Sequence, residues 1–378
     1  MAIAALKGLD ILVISPEPWN GLHMSKHHVS QGLVARGNRV VFWEPPVAGA
    51  KQLELKGQGP LRTVTTPHWF KGVNKLPPAA NKWYYRRQVR AIERAAGVRF
   101  DIIWCFDTSR LQWFPSGPWY RLLHLVDYDI MYQGHGLMRS ADLVVTTADI
   151  ISRRALEIAP KATVHKVGHA LDARWTMGAE ALVTPRGDTP HLVVYAGQFF
   201  NTYIDWTALL TVAREHRGLH FRYIGNLDPD FPDGAFQQLR REPNVEFTGL
   251  VTKDQLIPRV READILVFSF MTDKRMLERA NPHKVLEYLS TGNVIMGSWT
   301  LEYEPHAHLL QMARDRNDFV ATFADTVARY AELNTAERRA ERIAFAGGRT
   351  MDRLLERVAG LIATHGRTHS HGGSVNTP

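Results

Sequence analysis

The sequence predicts an α/β protein made of two doubly wound domains, each a parallel sheet covered by helices on both faces. Three observations carry this. The 378-residue chain is longer than one typical domain of about 100–150 residues. Short apolar runs alternate with helical patterns along it, and the alternation restarts after an interruption rich in proline and glycine. With 45% apolar and 22% charged residues, the composition is that of a folded chain and excludes extended disorder over most of it.

In the first half, Ile11–Ile14 reads as a strand, Ser25–Arg36 as a helix closed by Gly37, and Arg39–Trp43 as a second strand, with Val29, Leu33 and Val34 on the helix's buried side. Further strands are expected at Ile102–Phe106, Leu122–Val126, Leu143–Thr146 and Val164–Val167, with a helix over Ile150–Ala159. Such short, continuously apolar strands belong to a sheet buried on both faces. Gly178–Pro190, which contains Pro185, Gly187 and Pro190, reads as the linker. Strands then follow at Leu192–Tyr195, Phe221–Ile224, Val245–Phe247, Ile265–Phe268 and Val294–Met296, with helices at Asp205–Glu215, Lys253–Arg261 and Pro282–Ser290. The domains are therefore expected at 1–177 and 191–325, joined by 178–190, with a charged helical segment over 326–364 packing back on the first domain. The tail 365–378, rich in Gly, Ser, His and Thr, is expected to be disordered.

Several classes drop out. The lone Cys105 forms no internal disulfide and fits a reducing compartment. The opening run is broken by Lys7 and Asp10, which argues against a signal sequence, and no window approaches the 18–20 apolar residues of a membrane span. The first strand leads into Ser15-Pro-Glu-Pro-Trp-Asn-Gly21 without a dinucleotide fingerprint, and a P-loop is missing too. The net charge of +8 is local: eleven Lys/Arg between Lys51 and Phe100 face only Glu54 and Glu93. Interleaved with Trp69, Phe70, Trp83, Tyr84 and Tyr85, they suit an anionic membrane surface, contacted through Trp83, Arg86, Arg87 and Arg90. A solvated helix face is the plain alternative. Nucleic acid is not expected, since no recognised binding module accompanies the patch.

The segment Asn281-Pro-His-Lys-Val-Leu-Glu-Tyr-Leu-Ser-Thr-Gly-Asn293 is the most informative. Asn281 suits a helix cap, Pro282 a first turn and Gly292 a stop. Lys284, Glu287 and Thr291 share a face, so the helix terminus with Lys284 can attract a diphosphate while Glu287 accepts hydrogen bonds from a ribose diol.

With these residues the chain resembles the GT-B glycosyltransferases, in particular bacterial polysaccharide enzymes of the family 4 kind. The resemblance runs through Asn20-Gly21, Leu33–Val40, Ala141–Thr147, Val167–Asp172, Val194–Gly197, Asn244–Gly249, Ala263-Asp264 and Glu287–Gly292. It implies two Rossmann-like domains, the first for the acceptor and the second for a nucleotide-sugar donor. Glu287 matches the second glutamate of the family's E-x7-E motif, which holds the donor ribose; Gly197 matches the glycine at the phosphates and Gly249-Leu250 the turn at the base. Gln198, Asn226, Asn281, His283 and Lys284 complete the expected donor set, and Asn20, Gly21 and His27 lie on the acceptor side. The first glutamate is replaced by Arg279, with Glu278 out of register, and Gln198 and Asn201 stand where an Arg/Lys pair is usual. Lys284-x-x-Glu287 also resembles the xanthan-type glucuronosyltransferase, an inverting enzyme in which a lysine grips the diphosphate.

Inversion needs a base for the acceptor hydroxyl. Asp127, at a strand end, is the candidate, with Asp129 and His124 behind it. Lower weight falls on Asp228-Pro-Asp230 as a metal motif, on His23, His27 and His28 as zinc ligands, and on His369 and His371. The expected function is transfer of a sugar, UDP-linked by preference, to a glycan or lipid-linked acceptor at the inner face of the cytoplasmic membrane, without metal or organic cofactor. The alternatives are a sugar-nucleotide epimerase of the same fold and a non-catalytic nucleotide- or glycan-binding protein.

Overall fold

The computed structural model describes residues 5–21, 23–47, 49–67, 72–128, 134–176, 187–199, 203–228, 230–270 and 281–365. The chain divides into two compact units, one of Met1–Gly168 with Met351–Pro378 and one of His169–Thr350.

The first unit runs β1 (Asp10–Ile14), α1 (Ser25–Ala35), β2 (Arg39–Trp43), β3 (Glu54–Lys56), β4 (Leu61–Thr65), α2 (Pro78–Ala96), β5 (Ile102–Cys105), β6 (Tyr120–Leu125), α3 (His135–Ser140), β7 (Leu143–Thr146), α4 (Asp149–Ile158) and β8 (Val164–Lys166). Its sheet has the order β3-β4-β2-β1-β5-β6-β7-β8, with β3 antiparallel to β4 and the other pairs parallel. Alternate residues Leu12, Ile14, Val41, Trp43, Ile103, Cys105 and Leu123 enter one core cluster with Tyr85, Val89 and Ile92 of α2. Their neighbours Ile11, Val13, Phe42, Trp104 and Leu122 are also buried, as a sheet covered on both faces requires. The strand order reverses between β1 and β5, so their carboxyl ends frame a crevice.

The second unit runs β9 (Leu192–Ala196), α5 (Trp206–Glu215), β10 (His220–Ile224), α6 (Gly234–Leu239), β11 (Val245–Phe247), α7 (Lys253–Arg261), β12 (Ile265–Phe268), α8 (His283–Leu289), β13 (Val294–Ser298), β14 (Gln311–Ala313), α9 (Arg316–Ala328), α10 (Tyr330–Leu333) and α11 (Ala336–Gly347). All neighbours in its sheet, β11-β10-β9-β12-β13-β14, are parallel, and the order reverses between β9 and β12. The last helix, α12 (Met351–His365), belongs to the first unit and packs on α1.

The division falls at Gly168/His169, ahead of the linker read at 178–190. The reason is bonding to residues far along the chain. His169 Nε2 lies 3.1 Å from the Asn281 carbonyl, and Asp172 accepts from Lys253 Nζ at 2.9 Å, so these residues are held by the second unit. The segment 326–364 is likewise split. The buried Arg342 guanidinium donates to the carbonyls of Leu309, Gly292 and Leu333, which keeps α11 on the second unit and leaves α12 alone to the first. The basic stretch 51–100 holds β3, β4 and α2, which its charge had masked as elements. Among the described residues no helix is long and apolar enough to cross a membrane.

Three asparagines standing one residue before a strand close the ends of helices. Asn38 donates to the carbonyls of Leu33 and Leu6, Asn244 to those of Ala213 and Leu219, and Asn293 to those of Val260 and Arg261. Each satisfies carbonyls that a helix end leaves open and fixes where the next strand begins. Asn244→Ala is expected to cost about 2 kcal/mol through lost hydrogen bonds, lowering the thermal midpoint of the second unit by about 4–8 °C in a calorimetric scan.

Candidate functional site

In the second unit, three adjacent parallel strands give way to glycine at their carboxyl ends: Gly197 directly after β9, Gly225 directly after β10, and Gly249 two residues beyond β11. The Gly197 amide donates to the Ile224 carbonyl at 2.9 Å and the Gly225 amide to that of Gly249 at 3.1 Å. A Cβ on Gly225 would stand 1.9 Å from the Gly197 oxygen. On Gly197, whose φ is +154°, it would stand 2.6 Å from Lys284 Nζ. No side chain fits at either position, and the strand ends form a shelf of bare backbone.

Lys284 lies beneath this shelf. Its part-buried side chain turns inward, donating to the Tyr195 hydroxyl at 3.0 Å with the ammonium 4.1 Å from the ring centre. Burial lowers its pKa from the ordinary lysine value. Tyr288 bridges β9 and α8, accepting from the Ala196 amide at 2.8 Å, and burial pushes its hydroxyl up to about 12. The sequence expectation for α8 needs correction here. Pro282 occupies the cap position with no side-chain cap, and the seven-residue helix is too short for a strong terminal dipole. The charge available to an anion comes from Lys284 itself. Thr291 leaves the expected face, because its hydroxyl donates to the Tyr288 carbonyl at 2.7 Å and accepts from the Asn293 amide at 3.1 Å.

Glu287 stays partly open, with 17% of its side chain exposed, and one carboxylate oxygen lies 3.5 Å from His283 Nδ1. The other ring nitrogen of His283 meets the Ala170 carbonyl at 2.9 Å. Both nitrogens face acceptors, so the imidazolium form suits the site. Burial pulls its pKa down, but Glu287 and the Ala170 carbonyl outweigh this and raise it. Around the shelf, Asn226 Oδ1 and Thr248 Oγ1 are buried without a hydrogen-bond partner among the described residues, while Gln198 and Leu250 are exposed. Gly225, Tyr195 and Thr248 escaped the sequence reading. Tyr195 sits inside an apolar strand run that reads as core, and only the register with β10 brings Gly225 against Gly197.

Arg279, Glu278, Asn201, Asp129, His369 and His371 lie outside the described residues. Asp228 Oδ1 accepts the Asp230 amide at 2.9 Å, a turn contact and not a metal cradle.

In the first unit, Asp127 is exposed beyond the end of β6, and Asn20 and Gly21 are exposed in the loop after β1. His27 departs from its acceptor role. Its Nδ1 accepts the Met24 amide at 3.1 Å and its Nε2 meets the Pro18 carbonyl at 3.0 Å, so one neutral tautomer is committed to the start of α1. The same commitment removes the His23/His27 zinc pair. On α2, Trp83, Arg86 and Arg87 are exposed, with Arg87 stacked 5.1 Å over Trp83, whereas Arg90 pairs with the buried Glu93 at 2.8 Å. Arg90 is thus partly structural.

His124 also leaves its expected place behind Asp127. It is buried against Trp104 and Phe106, its two ring nitrogens have no hydrogen-bond partner among the described residues, and burial lowers its pKa to about 3. The folded state therefore keeps this imidazole neutral while the unfolded chain binds a proton below about pH 6.5. Stability falls as pH drops from 6.5 toward 3, by about 2 kcal/mol at pH 5 for this one group. His124→Phe, which keeps the stacking, is expected to remove that part of the acid sensitivity when denaturation is compared at pH 7 and pH 5.

No protein-family model and no curated protein matches the chain. Solved structures do. A sucrose-phosphate synthase from Thermosynechococcus elongatus superposes with a TM-score of 0.67 at 14% identity, covering 94% of this chain and 98% of that one. A trehalose-6-phosphate protein from E. coli, bound with UDP-2-fluoro glucose, gives 0.64 at 12% identity over 94% and 98%. WaaG, a glycosyltransferase involved in lipopolysaccharide biosynthesis, gives 0.63 at 12% identity over 93% and 99%. With two Rossmann-like units and these structural neighbours, the chain has the GT-B fold.

Proposed function

We propose that this chain is a glycosyltransferase that moves a sugar from a nucleotide-diphosphate donor, UDP-linked by preference, to a glycan or lipid-linked acceptor of cell-surface polysaccharide synthesis. The observation that carries the reading is the glycine shelf over Lys284. Bare backbone at Gly197, Gly225 and Gly249 admits a diphosphate and base without steric conflict. Lys284 supplies a cation already stripped of much of its water, which interacts more strongly with phosphate than a hydrated one. Glu287, steadied by His283, accepts the ribose hydroxyls, and the orphaned Asn226 and Thr248 oxygens face the same strand ends. The UDP-2-fluoro glucose bound by a neighbour of the same fold supports UDP as the carrier. The first unit then holds the acceptor, with Asp127 as the base that takes its hydroxyl proton. Lys284 serves the charge that a divalent ion would otherwise balance, so the reaction needs no metal. The exposed Trp83, Arg86 and Arg87 face of α2 rests on anionic lipid at the inner face of the cytoplasmic membrane.

Titration calorimetry with UDP tests the donor site: Glu287→Ala is expected to weaken binding by about 1.5–3 kcal/mol, and unchanged affinity removes Glu287 from it. Asp127→Asn is expected to lower turnover by about 10²–10⁴-fold at unchanged UDP affinity, measured as release of UDP from a UDP-sugar panel in the presence of EDTA. A near-normal rate returns Asp127 to a structural role, and activity that vanishes in EDTA overturns the metal-free reading. For the membrane face, replacing Arg86 and Arg87 with glutamine is expected to reduce co-sedimentation with anionic vesicles in a salt-sensitive way. Indifference of the wild-type protein to such vesicles at low salt removes that part of the proposal.

A further inference from the structure

Beside Glu287, a fixed backbone carbonyl dictates the proton arrangement of a histidine. The second unit begins at His169, and the residues that follow are tied down at once. The Leu171 amide donates to the Arg349 carbonyl at 2.7 Å, and Asp172 accepts from Lys253 Nζ at 2.9 Å. Between the two anchored stretches, the Ala170 carbonyl meets His283 Nε2 at 2.9 Å. A carbonyl only accepts, so Nε2 carries a proton whatever the charge of the ring. In the neutral ring Nδ1 is then bare, and its lone pair faces the Glu287 carboxylate 3.5 Å away, four residues along the same helix. Two acceptors repel. A second proton, on Nδ1, turns the same contact into an ion pair.

The other charged groups around the pair are committed elsewhere. Lys253 of α7 and Arg174 share the Asp172 carboxylate, at 2.9 Å and 2.7 Å, and Arg174 also lies 3.9 Å from Asp254. On α8 itself, Lys284 turns to the Tyr195 hydroxyl and the Tyr288 hydroxyl to the Ala196 amide. The His169 ring stands edge-on to His283, with centres 5.2 Å apart, and its Nε2 meets the Asn281 carbonyl. Among the described residues, His283 is the group that pairs with Glu287. Burial and, more weakly, the Lys253 charge oppose the second proton. Glu287 and the Ala170 carbonyl outweigh them, so the ring keeps it to a higher pH than an ordinary histidine.

We infer that His283 is a charge-dependent positioning residue for the donor: as imidazolium it holds Glu287 in place for the ribose hydroxyls, and as neutral imidazole it repels that carboxylate. The inference rests on the donor-site reading above and adds a proton to what the site needs. Donor affinity is therefore full while His283 is charged and falls as pH rises through its titration.

Calorimetric titration of the full chain with UDP-glucose, from about pH 6 to about pH 8.5, tests this, because the diphosphate of that probe carries no ionisation in the range. Wild-type affinity is expected to fall about tenfold, the scale of one hydrogen bond to a charged group. His283→Gln keeps a donor for the Ala170 carbonyl; it is expected to bind weakly at the lower pH and to lose the step. His283→Lys, a cation throughout, is expected to hold more affinity at the upper pH than His283→Gln does. His169→Gln is expected to leave the step in place. Loss of the Lys284 proton would weaken wild type and variants alike, so the decisive readout is the step that His283→Gln removes. Thermal midpoints confirm that the variants fold, and the wild-type profile needs none of them. A flat wild-type profile, a step that survives in His283→Gln, or one that vanishes in His169→Gln overturns the inference. Where Glu287→Ala still weakens binding, the donor-site reading outlives that result. UDP-glucose affinity unchanged by Glu287→Ala, or no binding at any pH, overturns the donor-site reading and this inference with it.

Discussion

The clearance between Gly197 and Lys284 sets the geometry of the candidate donor site. A Cβ on Gly197 would stand 2.6 Å from the Lys284 ammonium and push it from the Tyr195 hydroxyl, and the φ of +154° at Gly197 is one that side chains rarely adopt. The demand propagates outward. Because the Gly197 carbonyl approaches the next strand end, Gly225 must also lack a Cβ, and its amide in turn binds Gly249. Two strand ends are thereby stripped of side chains by one close approach, while Gly249 lacks one for a separate reason, its left-handed φ of +73°.

The frame that carries this shelf is held by polar groups acting on carbonyls. Asn38 joins the end of α1 to β2, Asn244 and Asn293 tie the ends of α5 and α7 to the later strands β11 and β13, and Arg342 joins the turn at Gly292 to α10 and α11. Asp264 does the same from the other side, accepting the His191 and Leu192 amides at the start of β9. Several residues that carry the family resemblance are therefore structural. They recur because buried carbonyls and amides must be satisfied wherever a helix gives way to a parallel strand.

In the first unit the same logic produces a different surface. Arg110 and Asp107 pair with each other, and Arg110 also binds the carbonyls of Glu44 and Ser15, so their charges are spent on holding the loops after β1, β2 and β5 together. The helix α2 is asymmetric for a simpler reason: a 19-residue helix against one sheet face buries a stripe and leaves the rest to solvent, and here the rest is Trp and Arg.

The sequence by itself determined the alternation of strands and helices, because an apolar run of about four residues between polar turns has few other uses; β2, β7 and β12 fall where their runs lie. It also determined the candidate donor helix, since Lys284 and Glu287 stand one turn apart and Gly292 stops the run. Tertiary structure decided what those side chains face. Lys284 points into the protein, His27 and His124 are spent on packing and capping, and Gly225 matters only because register sets it against Gly197. It also decided where the units divide, at Gly168/His169, because hydrogen bonds from His169 and Asp172 to residues more than eighty positions away outweigh the local signal of proline and glycine. Periodicity is written between neighbours in sequence, whereas burial, partners and register are set by segments far apart in the chain, which no local pattern encodes.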